Sequence, residues 1–212
     1  MKLEVMTAQQ YTFQRSDLVG GHVVLDLVNT VTGRDSRPTD WLANYDGVLA
    51  WAAVTGVFDV NSLQVLDWMS KSDGRAARRA LSRLREIREA VYEVVVAAIR
   101  AEAAPPQALA RLERHWKSAV DAARITFSDG HAALTLDVGS SELDYPTHLL
   151  ALGAFDLLHT LPRERTRECA SPRCTWIFID SSRGGQRRWC DMATCGNRDK
   201  SRRHYARKRR AR

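Results

Sequence analysis

All four cysteines of this chain stand in one stretch, which reads Cys169-Ala-Ser-Pro-Arg-Cys174, then fifteen residues, then Cys190-Asp-Met-Ala-Thr-Cys195. The two pairs have the same internal spacing, with four residues between the cysteines of each pair. Two close pairs of soft sulfur ligands joined by a short spacer are typical of a tetrahedral thiolate zinc site. The pattern predicts one structural Zn²⁺ with no open position for a substrate. Its ligands would be Cys169, Cys174, Cys190 and Cys195.

Disulfide bonds and free thiols are the alternative interpretations of these cysteines. The first twenty residues carry no long apolar core of the kind found in signal peptides, so we expect a cytoplasmic protein. Thiols stay reduced in that compartment. The 168 residues before Cys169 contain no cysteine that could join a disulfide framework. Zinc is therefore the favoured interpretation.

The residues between the cysteine pairs predict a small folded unit. Thr175–Asp180 is rich in aromatic and β-branched side chains, which favours a strand. Ser181–Gly185 ends in Gly-Gly and predicts a turn, after which Gln186–Trp189 can return as a second strand. Asp191 is a candidate N-cap for a following helix. Cysteine knuckle, hairpin and helix together predict a treble-clef-like zinc finger.

Charge divides the chain into two parts of opposite sign. Residues 161–212, called the finger below, contain 16 Lys and Arg against 5 Asp and Glu, a net charge of +11. Residues 1–160, called the body, carry a net charge of −4. This asymmetry indicates that a polyanion binds the finger and not the body. No run of about 18 apolar residues occurs, so no membrane partner is expected.

The body is predicted to be α+β, mostly helical with a small antiparallel sheet. Apolar residues recur at three- and four-residue steps from Arg75 to Ala103, which predicts one long helix. Its arginines, including Arg88, face nearby glutamates and are interpreted as a solvated surface. Further predicted elements are a helix at 44–53, a helix from Pro106 to Ala122, a hairpin of Arg124–Ser128 with Ala132–Val138, and a helix at 145–161.

The segment from His22 to Val31 is largely apolar but contains the polar residues Asp26 and Asn29. Its periodicity does not distinguish a buried strand from a short buried helix. Asp26 and Asn29 either satisfy a neighbouring element by buried hydrogen bonds or line a ligand pocket. Buried polar groups are usually satisfied structurally, which favours the first interpretation.

The basic end of the finger predicts contacts with nucleic acid. Lys and Arg side chains release counterions when they bind phosphates, whereas a solvated tail is the alternative. Asn197 and Arg198 follow a zinc ligand closely, so they could read base edges or orient the thiolates. The full set of candidate residues is Arg187, Arg188, Asn197, Arg198, Lys200, Arg202, Arg203, Arg207, Lys208, Arg209 and Arg210.

Two stretches resemble known families. Cys195-Gly196-Asn197-Arg198, together with the surrounding cysteine pattern and the basic tail, resembles the bacterial CGNR zinc-finger family. Gly21-His-Val-Val-Leu-Asp-Leu-Val-Asn-Thr-Val31 is similar to the opening of the stress-induced transcription regulator (ABATE-like) domain that precedes the finger in that family. The resemblance implies a DNA-binding regulator.

Three functions remain open from the sequence. The first is a transcription regulator that binds double-stranded DNA, with a sensory or oligomerising body and a small-molecule effector. The second is an RNA-binding accessory protein that uses the same finger. The third is an enzyme in the body, but the chain lacks a phosphate-binding loop, a nucleophile elbow and a paired-histidine metal motif, so no enzymatic activity is expected.

Overall fold

A computed structural model describes residues 6–7 and 11–210 and shows a helical body joined to a small C-terminal finger. The helices are α1 (Val23–Val28), α2 (Tyr45–Thr55), α3 (Val60–Ser72), α4 (Gly74–Arg100), α5 (Pro106–Ala122), α6 (Val138–Ser141), α7 (Tyr145–Thr160) and α8 (Asn197–Arg210). The strands are β1 (Met6–Thr7), β2 (Val31–Thr32), β3 (Thr39–Asp40), β4 (Arg124–Ser128), β5 (His131–Thr135), β6 (Thr166–Glu168) and β7 (Ile177–Ile179). Among the described residues, none of the helices has an apolar stretch that could span a bilayer.

Helix α4 is the element around which the body packs. The Asp73 carboxylate caps it by accepting the N–H groups of Arg75 and Ala76, both at 2.9 Å. Its apolar stripe is buried against α1, α2, α3, α5 and α7. The long predicted helix is confirmed, and it ends at Arg100 because Ala101 adopts a left-handed conformation with φ 56°.

The segment left ambiguous by its periodicity is a helix. His22 precedes α1, and its Nδ1 accepts the N–H of Val24 at 3.2 Å. Val24, Leu25, Leu27 and Val28 of α1 are buried in the main core, where α1 packs on α4 and α7. The contacts of its two polar residues of interest, Asp26 and the C-terminal capping residue Asn29, are described below.

The strands form three small sheets, and mostly helical architecture with small sheets agrees with the predicted fold class. Strand β3 pairs antiparallel with β2 and parallel with β1. Strands β4 and β5 form the predicted hairpin, and all ten of their residues are exposed. The second strand ends at Thr135, earlier than predicted, because Leu136 and Val138 leave the hairpin to pack against the main core.

The interpretation of Arg88 as a solvated residue is wrong. Arg88 is buried, and its guanidinium donates to both carboxylate oxygens of Asp40 at 2.8 and 3.0 Å. The same guanidinium donates to Thr30 Oγ1 at 3.1 Å. Strand β3 brings Asp40 onto α4, where it also pairs with Arg85 at 3.0 Å. Arg88 in turn also pairs with Glu89 at 2.7 Å, so these charges form one network.

The predicted finger hairpin is also corrected. Strand β7 pairs antiparallel with β6, which precedes the first cysteine, so that Arg167 lies opposite Phe178. Residues 186–189 form no strand. The carboxylate of Asp180 accepts the N–H groups of Ser182 at 2.9 Å and Arg187 at 2.7 Å. These bonds close a loop after β7, and the loop directs the returning chain toward the cysteine cluster.

Candidate metal centre and nucleic-acid interface

The four cysteine sulfurs form one buried cluster. All four Sγ atoms lie within 4.8 Å of one another, with 3.6 Å between Cys174 and Cys190 and 3.7 Å between Cys190 and Cys195. A tetrahedron with Zn–S bonds of about 2.3 Å has S···S edges of about 3.8 Å. A disulfide needs about 2.05 Å. The predicted ligands are therefore brought together with the separation that one structural zinc ion requires.

Backbone contacts fix the first cysteine pair. The Cys169 N–H donates to the Trp176 carbonyl at 2.8 Å, and the Cys190 N–H donates to Cys169 Sγ at 3.4 Å. Thr175, which directly follows Cys174, has φ 59°, a left-handed conformation that β-branched residues rarely adopt. Its hydroxyl donates to the Cys174 carbonyl at 2.6 Å. The knuckle thus holds its shape at a cost in local strain.

Helix α8 begins directly at the last zinc ligand. Asp191 is the predicted N-cap, and its carboxylate accepts the N–H groups of Ala193 at 2.7 Å and Thr194 at 3.2 Å. A single π-helical turn, Met192–Gly196, contains Cys195 and continues into α8. Four thiolates and Zn²⁺ carry a net charge of −2, which the positive end of this helix partly offsets. The metal centre therefore fixes where α8 starts.

Helix α8 presents cations to solvent. Its backbone is helical from Asn197 to Arg210. Asn197 is exposed, and its Nδ2 donates to the Ala193 carbonyl at 3.0 Å, so this amide helps to start the helix. Arg202 pairs with the buried Asp199 while its side chain stays 55% exposed. The exposed cationic side chains are Arg198, Lys200, Arg202 and Lys208; the side chains of Arg203, Arg207, Arg209 and Arg210 lie outside the described residues.

The two remaining candidate arginines lie in the loop before Cys190. Arg187 Nε donates to the Trp189 carbonyl at 2.9 Å, and its guanidinium lies 4.6 Å over the Phe178 ring. Arg188 is exposed, with its guanidinium 5.2 Å from the Trp189 ring. Arg187 therefore contributes to the packing of the finger, whereas Arg188 faces solvent.

Asn29 joins the body to the finger. Its Nδ2 donates to the Ile177 carbonyl at 2.9 Å, and its Oδ1 accepts the Ile177 N–H at 2.8 Å. These residues are 148 positions apart in the chain. Ile177 belongs to β7, yet its side chain is fully buried in the main core of the body. The structural interpretation of Asn29 as a buried hydrogen-bonding residue is thus the one that its geometry favours.

Asp26 lies one turn before Asn29 on α1 and has a different environment. Its Oδ1 accepts the Gly20 N–H at 2.8 Å. Burial raises the pKa of Asp26 to about 6, although the bond from Gly20 acts in the opposite direction. An acid kept ionised near neutral pH at a cost in free energy is a feature of functional sites as well as of structural networks.

A cavity of about 950 Å³ lies between the body and the finger. Asp26 and Asn29 both line it from α1, so the structure places both predicted pocket residues at one concave site. Residues around the zinc cluster, including Cys174, Thr194 and Arg198, line the opposite side. The cavity therefore connects the body with the start of α8.

Sequence reasoning missed the aromatic side of this cavity. Tyr11, Trp41, Trp51 and Trp176 line it, and each comes from a different part of the chain. Trp41 and Trp176 both donate from their indole N–H to Thr32 Oγ1 at 3.0 Å. No local pattern signals this convergence, because only the fold brings these tryptophans to the same hydroxyl.

Comparison with known families assigns both parts of the chain. Residues 165–208 match the sequence model of the CGNR zinc finger. Residues 21–161 match that of the ABATE domain, whose description is "Putative stress-induced transcription regulator". A search of curated proteins found no matching relative. Since the second match covers well over half of the chain, this protein belongs to the ABATE family and carries a CGNR zinc finger at residues 165–208.

Proposed function

We propose that this protein is a transcription regulator that binds double-stranded DNA through its zinc finger. The observation that carries the proposal is that α8, the most cationic element of the chain, begins at a buried zinc cluster. A zinc centre gives the first turn of α8 a fixed position. Such a helix combines an orientation set by the metal with a charge that attracts phosphates.

The charge on α8 is not neutralised from within the helix. Its single acidic residue is Asp199, which is buried and pairs with Arg202. The exposed positions described on this helix are polar or cationic except for Ala206. By contrast, cations of the body pair with acids, as Arg111 of α5 pairs with Glu93 of α4 at 2.7 Å. These charges support binding through the finger and not through the body.

Different residues are assigned different roles in this proposal. Arg198 follows Cys195 by three residues, where the backbone is fixed, and its side chain is exposed. It is the candidate for reading a base edge. The cations near the end of α8 would contact phosphates on any sequence. Arg187 is assigned to holding the finger together, because its guanidinium already lies over Phe178.

The finger's knuckle, strand and helix also support a treble-clef-like arrangement. Such a frame serves RNA binding as well as DNA binding, so an RNA-binding accessory protein is the second candidate. We favour DNA because the body belongs to a family of transcription regulators. A catalytic role is not part of the proposal, since four sulfur ligands leave zinc no open position for a substrate.

The experiment compares two variants that lose the same charge from different places. In the finger variant, Arg207, Lys208, Arg209 and Arg210 become Ala. In the body variant, the exposed Arg75, Arg78, Arg79 and Arg124 become Ala. Affinity for duplex DNA and for duplex RNA is measured by fluorescence anisotropy at several salt concentrations.

The finger variant should lose affinity for all DNA sequences, and its plot of log affinity against log salt should flatten by roughly 0.9 per lost phosphate contact. The body variant should bind like the wild type. Equal losses in the two variants would reject the finger as the interface. Equal affinity of the wild type for RNA and DNA would favour the second candidate.

A further inference from the structure

We propose that the cavity between body and finger binds a planar heteroaromatic small molecule that carries both a hydrogen-bond acceptor and a hydrogen-bond donor. The acceptor would meet the indole N–H of Trp51, and the donor would meet the carboxyl of Asp26. The cavity also borders Arg198 and Arg202 of α8, but the existence of the site does not depend on the proposed function.

The walls of the cavity select a flat aromatic molecule. The rings of Tyr11 and Trp41 lie 4.5 Å apart at an interplanar angle of 46°, and Tyr11 meets Phe13 edge-on at 5.0 Å. Trp176 lines the cavity from the finger. Aromatic side chains favour stacked or edge-to-face contacts with another ring. A volume of about 950 Å³ is in the range of ligand sites for small molecules.

Trp51 supplies the first polar group. This residue is 1% exposed and lines the cavity. Within the described residues, its Nε1 has no hydrogen-bond partner. A buried donor without a partner destabilises the folded protein, because it has lost its hydrogen bond to water. A ligand acceptor at this N–H would restore the missing bond.

Asp26 supplies the second polar group. One of its oxygens, Oδ1, accepts the Gly20 N–H, and the residue lines the cavity. Burial makes its negative charge costly, as the raised pKa indicates. A donor on the ligand would stabilise that charge. Trp51 on α2 lies in the main core, and Asp26 lies on α1, which packs on α4 and α7, so both groups are held before any ligand arrives.

A ligand at this site would contact both parts of the protein. The body contributes Trp51 and Asp26, while the finger contributes Trp176, Cys174 and Thr194. A molecule that contacts both must bind more tightly when the finger lies against the body. By linkage, it should therefore slow the opening of the finger.

The test uses the full-length, zinc-loaded protein without nucleic acid, so its outcome is separate from DNA binding. Two probes, 2-aminoquinoline and 2-aminobenzimidazole, are planar and carry a donor and an acceptor. Naphthalene-2-sulfonate and cyclohexylamine are the control probes, because the first lacks a hydrogen-bond donor and the second lacks a planar aromatic ring. Binding is measured by ligand-observed NMR and by tryptophan fluorescence.

Saturable binding of the two heterocycles with a Kd below about 1 mM is expected, and the controls should bind at least about ten-fold more weakly. Trp51→Phe and Asp26→Asn should each weaken binding by about five-fold or more. Trp51→Phe should still fold, since it removes a donor that has no partner. The matched variants Trp68→Phe and Asp46→Asn change exposed residues and should leave binding unchanged.

A second readout is the rate at which a chelator removes zinc. Saturating 2-aminoquinoline should slow zinc release from the wild type, and Trp51→Phe should abolish the slowing. Neither heterocycle binding at about 5 mM would overturn the proposal. Unchanged affinity in Trp51→Phe and Asp26→Asn would overturn the proposal as well. So would binding that leaves the rate of zinc release unchanged.

Discussion

Replacing Asn29 with Ala should destabilise the body and the finger together. The amide of Asn29 donates to the Ile177 carbonyl and accepts the Ile177 N–H, at 2.9 and 2.8 Å. Asn29 is 3% exposed and Ile177 is fully buried, so both bonds are shielded from bulk solvent. Each buried group left unpaired costs about 1–3 kcal/mol. Two such groups give about 2–6 kcal/mol, which is a large part of the usual stability of about 5–15 kcal/mol.

This change can be followed with two probes in one urea titration of the zinc-loaded protein. Far-UV circular dichroism reports the helices of the body, and a zinc-binding dye reports release of the metal from the finger. Both transitions should move to lower urea together, and the melting temperature should fall by roughly 2–4 °C per kcal/mol lost. Asn61→Ala is the matched control, because Asn61 is exposed on α3 and its loss should change stability by less than about 0.5 kcal/mol.

Two results would refute the reasoning. A loss of less than about 1 kcal/mol in Asn29→Ala would show that the Ile177 backbone finds other partners. A shift of the zinc transition alone, with the helical transition unchanged, would show that the finger folds independently of the body.

Three further changes have defined outcomes. Asp26 has a pKa of about 6 in the folded protein, compared with a reference value of 3.8. Between these values the folded state keeps a proton that the unfolded state loses. The free energy of unfolding therefore falls as the pH rises from about 4 to 6. Asp26→Asn keeps the acceptor for Gly20 and should stabilise the protein by up to about 3 kcal/mol at pH 7.5 and about half as much at pH 5. If urea titrations showed the same difference in stability between variant and wild type at both pH values, this reasoning would be contradicted. Cys190→Ser, or zinc removal by a chelator, should unfold the finger and also lower the melting temperature of the body, because Ile177 leaves the main core; calorimetry showing an unchanged body would contradict the shared core. Arg198→Ala should cost about 1–3 kcal/mol more on a preferred site than on random DNA, whereas equal losses with zinc content retained would mean that Arg198 only anchors the protein.

Local signals in the sequence were enough to predict the metal site and the long helices. The spacing of Cys169, Cys174, Cys190 and Cys195 constrains four ligands within 27 consecutive positions. Asp191 caps the helix at the last pair, as predicted, because a capping residue acts on its own neighbours. The periodicity of α4 likewise depends on residues that are close in the chain.

Contacts between distant residues could not be predicted in this way. Thr166–Glu168 carries no alternating pattern, so nothing in its composition marks it as the partner of β7. Arg88 lies among glutamates on α4, but its main partner Asp40 comes from a strand 48 residues earlier. The aromatic cavity has the same origin, since its members meet only after the finger lies on the body.

The pair of hydrogen bonds between Asn29 and Ile177 also has a consequence for how the chain folds during synthesis. Synthesis proceeds from the N-terminus at about 5–20 residues per second, so all the helices of the body leave the ribosome before β7 does. Until then the main core lacks the Ile177 side chain, and the side-chain amide of Asn29 lacks its hydrogen bonds to the Ile177 backbone. The emerging body should therefore expose apolar surface for seconds and bind chaperones during that interval. Completion of the finger, and with it the arrival of zinc, would be the step that closes the core.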